Sequence, residues 1–191
     1  MYGDRTRFQH TLPDPIPLGE IQSLTYEWMV AVDSTSSLHP DYTPALRLHV
    51  VEILGQDSFR WSELIWEGAY NGVYGAMTKG VWYGTSPGDV FWRWVTGEGV
   101  TMDGGAQVNL PISGWQDGDW YIPEAYVWGI SVGVGSSVGS GYHAFADNVT
   151  LTWSQGSNRY NFEVATVPEP SLLLLLGAGL LGVGAFSRRR R

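Results

Sequence analysis

The stretch Ala125–Gly135, AYVWGISVGVG, decides the fold because large apolar residues alternate along it with small ones. Its larger side chains fall at every second position, at Tyr126, Trp128, Ile130, Val132 and Val134. Gly129, Ser131 and Gly133 alternate with them and would lie on the opposite face of a strand. Because successive side chains of a strand point to opposite faces, this alternation predicts a half-buried β-strand.

Five further segments have the same period of two, at Leu24–Val32, Ala45–Ile53, Ser62–Tyr70, Val90–Val95 and Asp147–Trp153. The residues that share an apolar face are Leu24, Tyr26, Trp28, Val30, Val32, Leu46, Leu48, Val50, Leu64, Trp66, Val149, Leu151 and Trp153. In the fourth segment, Phe91, Arg93 and Val95 share one face and Trp92 and Trp94 share the other. Short strands separated by Gly-, Pro- and Asp-rich turns predict an all-β fold, an antiparallel β-sandwich or barrel.

Charge and composition narrow the functional classes. Without Arg188–Arg191, the chain carries seven basic against 19 acidic residues, a net charge of −12. Such a body repels phosphate backbones, so we expect no nucleic-acid partner. The chain has no cysteine, which excludes disulfides, thiolate zinc sites and cysteine nucleophiles.

The C-terminal segment has a different composition from the rest of the chain. Residues Leu172–Phe186 form an uncharged run that would make about 22 Å of helix, somewhat short for a bilayer. A buried helix is the alternative, but the run is apolar on every face and four arginines follow it. We therefore predict a transmembrane helix at 172–187, with a cytoplasmic Arg tail at 188–191 and the body outside.

The residues that precede this helix carry a family resemblance. Val167-Pro168-Glu169-Pro170-Ser171, the apolar run and Arg188, Arg189, Arg190 and Arg191 together resemble a PEP-CTERM sorting signal. In that family an exosortase, a membrane-embedded cysteine protease-like enzyme of Gram-negative bacteria, recognises the tail. The resemblance implies recognition through Pro168, Glu169 and Pro170, an Arg cluster that stops transfer, and cleavage near the motif after export.

The body adds a second resemblance. PALRLHV, LIWEGAYNG, FWRWVTG and VWGISVGVGSSVGSGYHAFADNVTL resemble the body shared by many PEP-CTERM proteins, and the closing ADNVTL looks like the last strand of carbohydrate-binding modules. That similarity implies a jelly-roll sandwich like those of carbohydrate-binding modules, which we place at 21–165. A PEP linker at 166–171 follows, and 1–20 is expected to be an irregular segment. Because 1–20 lacks the apolar core of a secretion signal, we expect its start to be truncated.

No set of residues in the sequence predicts catalysis. Gly129–Gly133 fits the G-x-S-x-G pattern of serine hydrolases, but it lies inside a predicted strand and not at a strand-to-helix turn. The four histidines are scattered, and Glu63 and Glu67 fall on one face that we expect to be solvated. We therefore predict a protein that is not an enzyme, with a glycan-active enzyme as the less favoured alternative.

Binding residues are predicted from exposed aromatics and acidic loops. The tryptophans expected at turns or on an exposed strand face are Trp82, Trp92, Trp94, Trp115 and Trp120, and these are the candidates for stacking on sugar rings. Trp28, Trp128 and Trp153 are expected in the core. Asp147 could hold a structural Ca²⁺ or form an Asx turn, and the same choice applies to Asp117 and Asp119. No other cofactor is expected.

The implied function is that of an exported, noncatalytic protein, anchored in the membrane as a precursor and then released to the cell surface or extracellular matrix. The family resemblance implies exosortase, the membrane and exopolysaccharide or biofilm material as its partners. The alternative is a carbohydrate-binding module with Ca²⁺-stabilised loops.

Overall fold

Antiparallel strand pairing organises the protein in the computed structural model, which describes residues 6–36, 42–75, 77–135 and 138–162. The strands are β1 (Thr6–Pro17), β2 (Ile21–Val30), β3 (Ala45–Gly55), β4 (Ser58–Trp66), β5 (Tyr83–Gly84), β6 (Phe91–Val95), β7 (Gly99–Val100), β8 (Met102–Asp103), β9 (Ala106–Gln107), β10 (Asn109–Leu110), β11 (Ala125–Val134), β12 (Ala144–Trp153) and β13 (Gly156–Tyr160). Short 3₁₀ segments lie at Leu18–Glu20, Gly68–Asn71, Ile112–Trp115 and Gly118–Trp120.

Two sheets form the body. The larger has the order β1-β11-β3-β4-β6-β10, with β7 also paired to β6, and the smaller has the order β13-β12-β2-β5. The small β8–β9 pair stands apart. Every registered pair is antiparallel, which confirms the all-β, antiparallel sandwich. The jelly-roll subtype remains a prediction.

The core between the sheets contains most of the residues that the period of two placed there. The buried members are Leu24, Tyr26, Trp28, Val30, Leu46, Leu48, Val50, Leu64, Trp66, Phe91, Val149 and Leu151. Trp153 packs against this cluster from a partly buried position. Val32 is an exception because β2 ends at Val30, and its side chain is 77% exposed.

A β-bulge corrects the predicted facing of β11. Val127 lies opposite Val50 and Gly129 lies opposite His49, so Trp128 is an extra residue in the strand. The extra residue reverses the alternation, because two residues of β11 are matched by one of β3. Ile130 and Val132 therefore face the core as predicted, whereas Tyr126 and Trp128 do not and their places are taken by Ala125 and Val127.

The expectation of an irregular segment at 1–20 is wrong for most of its described part. Thr6–Pro17 forms β1, which pairs with β11 at the edge of the larger sheet. The prolines of this segment, at Pro13, Pro15 and Pro17, lie in or after a register irregularity between Thr11 and Ile16. Proline is tolerated at the edge of a sheet and at bulges, where its missing N–H leaves no ladder bond unmade. The sandwich thus begins well before residue 21.

One inward-facing position at the end of the sandwich is charged. Arg93 is buried on the core side of β6 and donates to the buried carboxylate of Glu52. Ser62 also donates to this carboxylate, and Arg60 lies 3.6 Å from it. A buried carboxylate is tolerated when its oxygens are paired, so this arrangement closes the end of the core without an isolated charge.

The predicted linker at 166–171, helix at 172–187 and Arg tail at 188–191 lie outside the described residues. Within the described part of the chain, no helix has the length and apolarity needed to cross a membrane.

Candidate functional site

Exposed aromatic side chains gather on the outer face of the larger sheet, the face turned away from the smaller sheet. We call this surface the outer aromatic face and define it by Phe59 and Trp61 of β4, Trp92 and Trp94 of β6 and Trp128 of β11. Phe59, Trp61 and Trp94 are 55%, 49% and 44% exposed, and the other two are half-buried. Because large exposed apolar patches are uncommon on soluble proteins, this surface is the candidate binding site.

Register places these side chains side by side. Glu63 lies opposite Trp94, so Trp61 and Trp94 are diagonal neighbours on adjacent strands, roughly 7–8 Å apart. On the other side of Trp61, the ring of Trp128 stands edge-on with centroids 5.7 Å apart and planes at 86°. The rings of His49 and Trp128 are 5.0 Å apart. Together these side chains form an aromatic strip that extends from β11 across β3 and β4 to β6.

A polar cluster lies beside this strip on the same face. It consists of Arg7 of β1, Arg47 and His49 of β3, Glu63 of β4 and Ser131 of β11. Nη1 and Nη2 of Arg7 donate to Glu63 Oε1 and Oε2, at 2.7 and 3.4 Å. Arg47 Nε and His49 Nδ1 approach the same carboxylate at 3.4 and 3.5 Å. On its other side, His49 Nε2 is 2.9 Å from Ser131 Oγ.

Electrostatics explain why Glu63 holds the cluster together. Burial opposes ionisation of Glu63, but hydrogen bonds from His49 and Arg7 and the charge of Arg7 outweigh it and lower the pKa of Glu63 to about 2. Burial lowers the pKa of Arg47, an effect that the charge of Glu63 opposes. Burial raises the pKa of Glu67, which follows β4. Glu63 lies on the outer face of the larger sheet, but both carboxylates are only partly exposed and not fully solvated.

The order Glu63–His49–Ser131 has the connectivity of an acid–base–nucleophile triad. Ser131, however, is fully buried in the sheet interior, between Gln9 of β1 and Arg47 of β3. A serine nucleophile needs an exposed Oγ and free N–H donors for the oxyanion. In β11 the neighbouring backbone groups belong to the sheet ladders, so the geometry supports a structural role for these contacts. The strand position of G-x-S-x-G is as predicted.

The five candidate tryptophans are not brought together. Trp92 and Trp94 share the outer aromatic face, and Trp82 is exposed beside β5, in the smaller sheet. Trp115 is wrong as a ligand-binding residue, because it is 0% exposed and its indole donates to the carbonyl of Phe91. Trp120 packs partly buried against the core.

Three aromatic residues of the face, Phe59, Trp61 and Trp128, were missed by the sequence analysis. In β4, Trp61 is two residues from Glu63 and therefore lies on the same face, opposite to the face of the core residues Leu64 and Trp66. The alternation of a strand alone thus predicts that Trp61 faces away from the core. Trp128 was expected in the core, and the bulge moves it to the outer face.

Asp147 and Asp117 both make local turns. Asp147 accepts a hydrogen bond from the N–H of Asn148 at 2.6 Å, at a bulge where Asn148 has φ 55°. Asp117 caps the Gly118–Trp120 segment by accepting from Gly118 N at 2.7 Å. Among the described residues, no three His, Asp or Glu side chains gather as a metal site would require. The Ca²⁺ site at Asp147 remains a prediction.

Comparison with known families finds one match, at the C-terminus. Residues 166–191 match the PEP-CTERM protein-sorting motif. Searches of curated proteins and of solved structures gave no match to this chain. The motif implies exosortase-dependent sorting of a surface protein, with a membrane-anchored precursor that is then exported to the cell surface.

The lowered pKa of Glu63 makes a testable contribution to stability. A carboxylate with a folded-state pKa below its unfolded value stabilises the fold above the unfolded pKa, and this stabilisation is lost as pH falls from about 4.5 to about 2. The shift corresponds to on the order of 3 kcal/mol. We expect Glu63→Gln to lower the free energy of unfolding by this order at pH 7 and by much less at pH 2, as measured by urea denaturation.

The matched control is Glu98→Gln, since Glu98 forms an exposed pair with Arg60. Exposed pairs contribute little, so this variant should stay within about 0.5 kcal/mol of the parent at both pH values. Parallel pH profiles for Glu63→Gln and the parent would contradict the assigned role of Glu63.

Proposed function

We propose that this protein is an exported, noncatalytic component of the cell surface or extracellular matrix that binds uncharged polysaccharide through the outer aromatic face. The observation that carries the binding role is the strip of Phe59, Trp61 and Trp94, exposed on a rigid sheet. The sorting motif at 166–191 supports the location. Exopolysaccharide or biofilm material is the context in which such a protein would act.

The flatness and rigidity of the strip favour sugar rings as ligands. The C–H face of a pyranose packs on an indole as an apolar surface, and its hydroxyl groups need polar partners at the ring edge. The polar cluster supplies such partners, since Glu63 lies opposite Trp94 and Arg7 contacts Glu63. Because the backbone of β4 and β6 is already fixed by ladder hydrogen bonds and aromatic side chains have only two torsions, ordering the site on binding costs little entropy.

The charge of the protein favours an uncharged polysaccharide over a polyanion as the ligand. The strongly acidic body repels polyanions at long range. On the outer face itself, Arg7 and Arg47 are both engaged by Glu63, which leaves no free cation of the polar cluster for a carboxylate or sulfate. A neutral chain of hexose or pentose units avoids both penalties.

A noncatalytic role is supported by the form of the surface. Glycoside hydrolysis needs two carboxylates facing each other across a cleft, roughly 5–9.5 Å apart. On the outer face the carboxylate beside the aromatic strip is Glu63, whose pKa of about 2 and three basic neighbours suit a fixed charge and not a proton donor.

Sorting can be tested by mass and location. The chain would be expressed behind a secretion signal in an exosortase-bearing host and in the same host lacking exosortase. We expect the mature mass to lose the residues beyond the Pro168–Pro170 region only when exosortase is present, with the body found outside the cell. Retention of the tail in both strains would contradict export by this route.

Binding can be tested by affinity electrophoresis through gels that contain glucan, mannan, galactan, xylan or the polyanion alginate. We expect retardation by at least one of the neutral polymers and none by alginate. Trp61→Ala and Trp94→Ala should each weaken that retardation by roughly tenfold, about 1.4 kcal/mol, because each removes one stacking surface.

Trp82→Ala is the matched control, since Trp82 is equally exposed but lies outside the outer aromatic face. It should bind like the parent. Equal losses of retardation in all three variants, or retardation by alginate alone, would overturn the proposal. If none of the neutral polymers retards the protein, binding is also overturned and a purely structural role is favoured.

A further inference from the structure

A small pocket lies where β4 ends, beyond the polar cluster and away from the aromatic strip. Its volume is about 160 Å³, and its walls include Tyr42, Tyr70, Tyr74 and Glu67. We call it the tyrosine pocket. A cavity of about 150 Å³ is enough for a molecule of the size of benzene, so this pocket suits one compact group and not a polymer chain.

The strand geometry places Glu67 on the outer face of the larger sheet. β4 ends at Trp66, but the backbone of Glu67 is still extended, with φ −140° and ψ 138°. Its side chain therefore points to the same face as Glu63, four residues earlier. At about 3.3 Å per residue, Glu67 lies roughly 20 Å along the strand from Trp61, so the tyrosine pocket is separate from the aromatic strip.

The carboxylate of Glu67 lacks a close counter-charge. Within the described residues, Glu67 forms no ion pair with a basic group. Arg47 is the basic residue that acts on it, but Arg47 directs Nε to Glu63 at 3.4 Å and donates from Nη1 to the carbonyl of Ala45. Burial raises the pKa of Glu67, although the charge of Arg47 and the indole of Trp92 lower it. A cation in the pocket would supply the missing partner.

The three tyrosines surround this carboxylate with aromatic surface. The rings of Tyr42 and Tyr74 have centroids 5.4 Å apart and planes tilted by 55°, so they form two walls that meet at an angle. Tyr70 donates its backbone N–H to the carbonyl of Glu67 at 3.1 Å and its hydroxyl to Gln107 at 3.3 Å, which holds the third ring in place. Tyr70 and Tyr74 are nearly half exposed, so the pocket is open to solutes.

We infer that the tyrosine pocket binds a small organic cation that carries a quaternary ammonium group. Ring faces attract such a cation through their quadrupoles, and the carboxylate of Glu67 adds a full opposite charge. A primary ammonium is more strongly hydrated and loses more on entering the pocket. Ca²⁺ takes about six to eight oxygen ligands, whereas this site offers one carboxylate. The acidic body attracts any cation at long range.

Calorimetric titration with choline tests the inference. The full chain would be held in a polyoxyethylene detergent, which carries neither an ammonium group nor a sugar, at a pH well above the usual pKa of a carboxyl group. The matched ligand is dimethylbutanol, the uncharged isostere of choline in which carbon replaces nitrogen. We expect choline to bind and dimethylbutanol to bind more weakly by roughly tenfold or more. No binding of choline, or equal binding of the two ligands, would overturn the inference.

Two variants separate the charge from the aromatic walls. Glu67→Gln keeps the size of the side chain, so it should weaken choline binding by roughly tenfold and leave dimethylbutanol binding unchanged. Tyr74→Ala should weaken the binding of both ligands, because it removes a wall. If Glu67→Gln binds choline like the parent, with an unchanged Tm to show that it is folded, the assigned role of Glu67 is wrong.

Matched controls test the position of the site. Glu98→Gln and Tyr121→Ala change an exposed carboxylate and an exposed tyrosine outside the tyrosine pocket, and both should bind choline like the parent. Trp61→Ala should also leave choline binding unchanged, so failure of this inference and failure of polysaccharide binding are distinguishable. Equal losses in Glu98→Gln and Glu67→Gln would show only general attraction to an acidic protein and would overturn the site.

Glycerophosphocholine distinguishes a free solute from a lipid headgroup as the source of the ammonium group. We expect it to bind more weakly than choline by roughly tenfold, because its phosphate would lie near Glu67 on an acidic protein. Equal or tighter binding of glycerophosphocholine would overturn a free solute as the ligand and assign the pocket to a headgroup.

Discussion

The extra residue in β11 at Trp128 sets the arrangement of the larger sheet. β11 lies between β1 and β3, and the bulge lets Val127, Ile130 and Val132 all face the core although their spacing breaks a strict period of two. It also brings Gly129 opposite His49 and turns Trp128 outward. A side chain at Gly129 would approach the carbonyl oxygen of His10 to 2.9 Å, so the close pairing of β1 depends on glycine here. Without the bulge, Trp128 would compete for the core and the outer face would lose one end of its aromatic strip.

The outer face combines two kinds of interaction that stabilise each other. The ring of Trp128 packs against His49, and both His49 and Arg47 are buried, which strengthens their contacts with Glu63. In turn, the cluster holds His49 against Trp128 and so limits the movement of the aromatic strip. Buried charges add little net stability compared with an apolar core, but they fix geometry when every partner is present. A rigid, partly charged and strongly aromatic face is consistent with recognition of a polar polymer that presents apolar ring faces.

Period two predicted the inner residues of β2, β3, β4 and β12, because one face of each strand is buried and the other is not. It failed at Trp128, since the bulge depends on contacts between β1, β11 and β3 that leave no local signal in the sequence. It failed at β1, where an edge position tolerates prolines that otherwise indicate an irregular segment. Trp115 was misplaced because a 3₁₀ segment folds it into the core. The outward position of Trp61 could have been predicted, because Trp61 is two residues from Glu63 on the same strand. The convergence of three basic groups on Glu63 could not, because it depends on the order of the strands in the sheet, which a single sequence does not reveal.

The most direct test of the account uses the ten tryptophan indoles as reporters. The ¹⁵N-labelled chain would be titrated with oligosaccharides of the neutral glucan, mannan, galactan and xylan series, and the assigned indole N–H signals would be followed by NMR. The account predicts shifts at Trp61, Trp94 and Trp128, with Trp82 and the buried Trp115 unchanged, for at least one series. Shifts at Trp82 alone, or no shift at the three outer-face signals with any neutral series, would contradict binding at the outer aromatic face.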